Sequence, residues 1–256
     1  MKRLLTLLAL SCGLLHGAHA ADPLKIRIGV EGAYPPFSSV GPDGKLKGFD
    51  IDIANALCAE MKAQCTMVQQ DFDGMIPALQ ARKFDIIVAS LSITPERQKV
   101  VDFSDKYYST PARFVTKAGS TLTVSAAGLK GKKIGVQRAT IHDRYATEQF
   151  KQSEVVRYAK QDEVFLDLVA GRVDGSLVDS VAADQGFLKT PAGKGFGFIG
   201  PVYDDEKYFG TGAGIAVRKG DAATRERLNA AIKAIRANGV YKRIQDAYFD
   251  FDVYGK

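Results

Sequence analysis

Residues 90 to 97 read Ser-Leu-Ser-Ile-Thr-Pro-Glu-Arg, a spacing suited to holding a carboxylate. Thr94 has the chemistry of a helix N-cap. Pro95 suits the first helical position, where its missing N–H costs nothing. Free backbone donors, the hydroxyls of Ser92 and Thr94 and the fork of Arg97 are then expected to converge on one spot. A cation in a first helical turn opposes the dipole, so an anionic partner for Arg97 is expected. The implied chemistry is capture of a small carboxylic acid, an amino acid by preference.

Other chemistry-bearing residues stand at the ends of apolar runs. The first run leads into Glu31-Gly32-Ala33-Tyr34-Pro35-Pro36-Phe37, and a later helix begins near Phe72-Asp73. The run from Lys132 leads to Gln137-Arg138-Ala139-Thr140-Ile141-His142-Asp143, and another ends in Asp179. Parallel sheets gather ligands at the carboxyl ends of their strands. An acid, an anion site, two aromatics and a second acid are thus expected on one face.

The elements that must position them alternate between strand and helix signals. Lys25 to Val30, Cys65 to Gln69, Phe84 to Ser90, Lys132 to Gln137, Glu154 to Ala159 and Gly175 to Asp179 read as strands. Phe49, Ile53, Leu57 and Met61 recur every fourth residue and mark a long helix, with others near 74–82, 143–152, 163–171, 181–188 and 222–238. The alternation predicts an α/β fold with largely parallel sheets. Residues 25–90 and 132–179 repeat the same plan, which predicts two lobes. Crossings are expected at Tyr108 to Ala112 and at Asp204 to Gly212, giving a first lobe of 21–110 and 205–256 and a second of 111–204. Two crossings make a hinge, and the cleft between lobes is the place for a ligand.

Residues 1–20 read as a cleavable export signal: a basic start at Lys2-Arg3, an apolar run from Leu4 to Leu15, and Ala18-His19-Ala20 before the cut. No later stretch reaches the ~20 apolar residues that span a bilayer. Removing Lys2 and Arg3 leaves 33 basic residues against 29 acidic ones, a charge near +4. The lysines are scattered, without the basic stripe that nucleic acid requires. Cys58 and Cys65 remain as an even pair in an oxidising compartment, and a disulfide from a helix end to the next strand is expected. Motifs for nucleophilic, zinc or nucleotide chemistry are missing, and no cofactor or metal is implied.

Taken together, Gly48-Phe49-Asp50-Ile51-Asp52, the cysteine pair, Asp71-Phe72-Asp73, Ser90 to Arg97, Lys207-Tyr208-Phe209-Gly210 and the ending Tyr248 to Gly255 resemble the periplasmic amino-acid-binding proteins of ABC importers. The likeness is to the lysine/arginine/ornithine and histidine type. The resemblance implies a two-lobed periplasmic-binding-protein fold with a two-strand hinge. It also implies that Arg97, Ser92 and a backbone N–H near Thr140 and Ile141 hold the α-carboxylate, while Asp179 and Ser90 take the α-ammonium. Tyr34 and Phe72 would wall the ligand stem, and Glu31 would pair with a side-chain cation. Gln137 replaces an apolar residue of that pattern, Glu31 an aspartate, and Thr140-Ile141-His142 a Ser-Thr-Gln run. The expected function is periplasmic capture of a cationic L-amino acid, arginine or ornithine before lysine or histidine, for delivery to a membrane permease by a monomer. The alternative is a periplasmic cyclohexadienyl-type dehydratase on the same fold.

Overall fold

The computed structural model describes residues 23–255; the expected export signal lies outside them. The described chain forms two five-stranded sheets flanked by helices, plus a small three-stranded one. The first sheet runs in the order Gln64–Gln69, Lys25–Val30, Ile86–Ile87, Ala213–Arg218, Val101–Tyr108. The second runs Glu154–Tyr158, Lys133–Gln137, Gly175–Asp179, Ala112–Lys117, Phe196–Tyr203.

Neither sheet is largely parallel, contrary to the sequence expectation. Lys25–Val30 is parallel to both its neighbours and Lys133–Gln137 to both of its own, but the other half of each sheet is antiparallel. The antiparallel strands are those that carry the chain between sheets. Val101–Tyr108 continues through Ser109-Thr110-Pro111 into Ala112–Lys117, and Phe196–Tyr203 returns through the short helix Glu206–Phe209 into Ala213–Arg218. A chain that leaves one sheet and comes back must run both ways.

The strand expected from Phe84 to Ser90 is laddered only at Ile86–Ile87. Phe84, Val88 and Ala89 are buried all the same, so the apolar run reports burial and not pairing. The chain peels away because Ser90 takes a left-handed conformation, φ 53°. The helix Val240–Tyr248 is strongly one-sided, burying Tyr241 and Gln245, and the expected helix 181–188 is an α turn, Ser180–Ala183, running into a wider π turn, Asp184–Leu188.

The long helix Phe49–Glu60 buries Phe49, Ile53 and Leu57 as its spacing predicts, and packs against Ala222–Ala237 and Val240–Tyr248. Gly48 starts this helix at φ 125°, where a Cβ would meet the Phe37 carbonyl at 2.4 Å. Only glycine lets the helix begin that close to the turn carrying Tyr34. The small sheet of Ala33–Tyr34, Ser38–Val40 and Leu46–Lys47 holds that turn, and Phe37 stacks on Tyr108 with centroids 4.7 Å apart.

Cys58, near the end of this helix, is bonded to Cys65 in the next strand, with Cα atoms 6.2 Å apart. For so short a loop the chain-entropy model gives roughly 2.5 kcal/mol. Reduction is therefore expected to lower the melting temperature by roughly 5 to 10 °C while leaving ligand affinity within twofold, as differential scanning calorimetry and titration with and without reductant would read.

Candidate functional site

Every expected ligand-contacting residue except Asp179 lines one cavity of about 30 Å³ between the two sheets, which His142 also lines. Asp179 lines an adjoining cavity of about 230 Å³, shared through Tyr34, Ser90, Ser92, Ile141 and His142. The second cavity extends along the crossing segments, past Thr110, Asp204 and Gly212. The residues named from strand ends therefore meet, although some reach the site by routes that strand ends alone do not predict.

Thr94 caps the short helix Pro95–Gln98 as expected, its hydroxyl accepting the Arg97 N–H at 3.3 Å. Thr94 lines neither of the two cavities, so its hydroxyl is not part of a common anion spot. The helix is one turn long, and the Arg97 side chain folds back: Nη1 donates to the Ser92 carbonyl at 3.0 Å and Nη2 to the Ala139 carbonyl at 3.2 Å. Its guanidinium carbon lies 5.6 Å from the centre of the Phe72 ring. Burial, with the charge of Arg144 added, pulls the Arg97 pKa down to about 10. It stays protonated at neutral pH, with an unmet appetite for negative charge.

Opposite it, Thr140 caps the helix Ile141–Gln149 by accepting from the Asp143 N–H at 3.1 Å and donates to the Gln137 carbonyl at 2.7 Å. The Thr140 hydroxyl is thus spent locally. What this segment offers an anion is its backbone, because the first N–H groups of a helix have no partner within it. His142, in that first turn, is buried and its pKa is pushed down to about 3 by burial and by the charge of Arg97. It is a neutral wall.

Three carboxylates are enclosed at the other side. Glu31 is 4% exposed. Its Oε1 accepts from the Gln137 amide at 2.5 Å, across the gap between the sheets. Burial drives its pKa up to about 7; Gln137 opposes the shift, and Asp50, Asp162 and Asp71 add to it. Asp179 caps Ser180–Ala183 by accepting from the N–H groups of Val181 and Ala182, both at 2.9 Å, and takes a further bond from the Thr110 hydroxyl. Burial raises it to about 6 against those three bonds.

Asp50 was legible only as part of a family motif. It is fully buried, accepting from the Ser90 hydroxyl at 2.9 Å and the Tyr107 hydroxyl at 2.8 Å, and burial raises its pKa to about 6. Tyr107 also accepts from the Ser90 N–H at 3.1 Å. These three bonds hold Ser90 in its left-handed conformation, which costs on the order of 1–3 kcal/mol for a residue other than glycine. The Ser90 hydroxyl proton is committed to Asp50, so towards a ligand its oxygens are acceptors. An acid in a helix's first turn also suits the dipole, so its place in the sequence does not reveal this role.

The site is therefore polarised. A guanidinium and free helix N–H groups suit a carboxylate and buried acids suit a cation, with Tyr34 and Phe72 as apolar rings in the same cavity.

Residues 26–251 match the model of the bacterial extracellular solute-binding proteins, family 3. Over its full length the chain is 57% identical to an L-arginine-binding protein of Pseudomonas aeruginosa, covering 99% of that protein. It is 45% identical to the lysine/arginine/ornithine-binding periplasmic protein of Escherichia coli, with both chains covered completely. Among solved structures, a Salmonella typhimurium periplasmic binding protein described for its high arginine specificity superposes with a TM-score of 0.82 at 36% identity, covering 88% of this chain and 99% of that one. These relatives are binding proteins, which sets aside the dehydratase alternative. The two-lobed α/β chain belongs to the bacterial extracellular solute-binding proteins of family 3.

Proposed function

We propose that the chain captures a cationic L-amino acid, arginine and ornithine ahead of lysine and histidine, and passes it to an ABC importer in the membrane. The observation that carries this reading is Glu31: a carboxylate enclosed in the cleft with an amide as its polar partner and further acids around it. A neutral or acidic side chain would leave that charge uncompensated; a guanidinium or ammonium would satisfy it. The α-carboxylate then falls to Arg97, Ser92 and the N–H groups beginning at Ile141, and the α-ammonium to Asp179 and the Ser90 oxygens. Gln137 stands beside Glu31 at the distal end. The names of the relatives, which specify arginine, lysine and ornithine, support the same assignment.

The mechanism is closure. We take the lobes as 21–110 with 205–256 and as 111–204, in keeping with the sheet to which each strand belongs. Glu31, Ser90 and Arg97 come from the first, and Gln137, Ile141 and Asp179 from the second. A ligand that touches both favours the closed state by its differential affinity for it. The same acids oppose closure without a cation. Burial holds the Glu31 pKa up at about 7; an open cleft would leave it hydrated as an ordinary carboxylate, so closure would take up a proton and be favoured as pH falls through that range. The chain would work as a monomer in the periplasm after cleavage behind Ala20.

Three outcomes are expected. Millimolar arginine, bound with micromolar affinity, should stabilise the protein by about 4 kcal/mol, a shift plain in a thermal melt, while glutamate gives none. Equal stabilisation by both would defeat the reading. Arg97→Ala should weaken arginine, ornithine and lysine alike by roughly 2–5 kcal/mol in titration calorimetry, because the lost partner is common to all. Small-angle scattering of the ligand-free protein should give a smaller radius of gyration at pH 5 than at pH 8. In Glu31→Gln that pH difference should shrink.

A further inference from the structure

Gln137, Arg138 and Ala139 follow one another in the turn between Lys133–Gln137 and Ile141–Gln149, and each bonds to a different residue attached to the first sheet. Gln137 reaches Glu31, the Ala139 carbonyl accepts from Arg97, and Arg138 Nε lies 2.7 Å from Asp73 Oδ2. The first two bonds use groups that the proposed ligand also engages, so their strength depends on what is bound. The third does not. Neither Arg138 nor Asp73 lines the two adjoining cavities. Their side chains are 46% and 33% exposed, at the outer edge of the cleft.

Both partners are well anchored. The Arg138 N–H donates to the Tyr158 carbonyl at 3.0 Å, and Ala139 turns the chain at φ 61°. Asp73 sits in the single turn Phe72–Gly74, next to the ring that walls the site. The pair spans the cleft, so it exists only when the lobes are together.

We propose that Arg138 and Asp73 form a ligand-independent clasp that sets affinity for every ligand by the same factor. It acts on the release rate and leaves selectivity unchanged. The proposal rests on the closure reading above. A half-exposed pair contributes little in water, about a two- to fivefold change in Kd when one partner is removed, and salt weakens it, since the Debye length is ≈ 8 Å at physiological ionic strength. Reversing one charge sets two acids against each other and enlarges the effect.

The test compares wild type, Arg138→Glu and the exchange Arg138→Glu/Asp73→Arg, using arginine and ornithine as probes. Titration gives Kd and stopped flow gives the rates, at low salt and at high salt, after melting curves establish that all three proteins fold. Arg138→Glu should weaken both ligands about fivefold or more at low salt, with the change in dissociation and association within twofold. The exchange should restore both ligands to within twofold of wild type, and high salt should narrow every difference. An unchanged Kd in Arg138→Glu, or no recovery in the exchange, would overturn the clasp while wild-type binding leaves the functional reading standing. Losses differing more than threefold between the ligands would overturn it too, by showing that Arg138 reads the ligand. Wild type that binds neither probe would remove the reading and the clasp together.

Discussion

Between the two sheets a carboxylate is held out of water with an amide as its partner. Glu31, 4% exposed and bonded to Gln137, is the group around which the site is arranged. A buried charge with no counter-charge is unfavourable by more than one hydrogen bond can offset. Among the described residues no ion pair includes Glu31; Asp50, Asp162 and Asp71, all of its own sign, add to the upward shift of its pKa. In the proposed cycle this opposition to closure is useful. It keeps the protein from shutting on a cleft without a cation, and the ligand that removes it is the one selected.

The scaffold makes that arrangement by bending the chain at two places. Ser90 and Ala139, both left-handed without being glycine, stand where the two sheets hand their strands over to the site. Ser90 is held by Asp50 and Tyr107; Ala139 has its N–H on the Asp143 carboxylate at 3.2 Å and its carbonyl under Arg97. Backbone strain at functional turns persists only where the surroundings over-determine it, and these contacts supply that. The crossing segments are tied to the same loop, because the Ile93 N–H donates to the Gly212 carbonyl at 2.8 Å and Ser92 bridges Ala213. A hinge motion at these crossings would thereby be coupled to the proposed carboxylate site.

Much of this was legible in the sequence. The strands Lys25–Val30 and Gly175–Asp179 and the helix Phe49–Glu60 fall where periodicity puts them, because in each the apolar pattern and the turn residues at its ends agree. Glu31, Tyr34 and Asp179 could be named because strands end there, and Phe72 and Arg97 because helices begin there; apart from the anion role of Arg97, their ligand roles came from the family resemblance. The illegible parts depend on contacts distant in sequence. Gln137 and Glu31 meet across 106 residues, and Asp50 looks like helix-dipole decoration until Ser90 and Tyr107 are beside it. The hydroxyls of Thr94 and Thr140 illustrate the converse: local capping engages groups that spacing alone would have assigned to the ligand.

In the proposed cycle Glu31 reads charge at the far end of the ligand. Arginine and citrulline share a shape and differ in that charge, so their affinities for wild type and for Glu31→Gln form a closed cycle by titration calorimetry at fixed salt. Glu31→Gln should weaken arginine by roughly 1.5–3 kcal/mol, the range for a hydrogen bond to a charged group, while citrulline loses little or gains. Equal losses for the two ligands would contradict it, for Glu31 would then be shaping the cleft without reading the side chain.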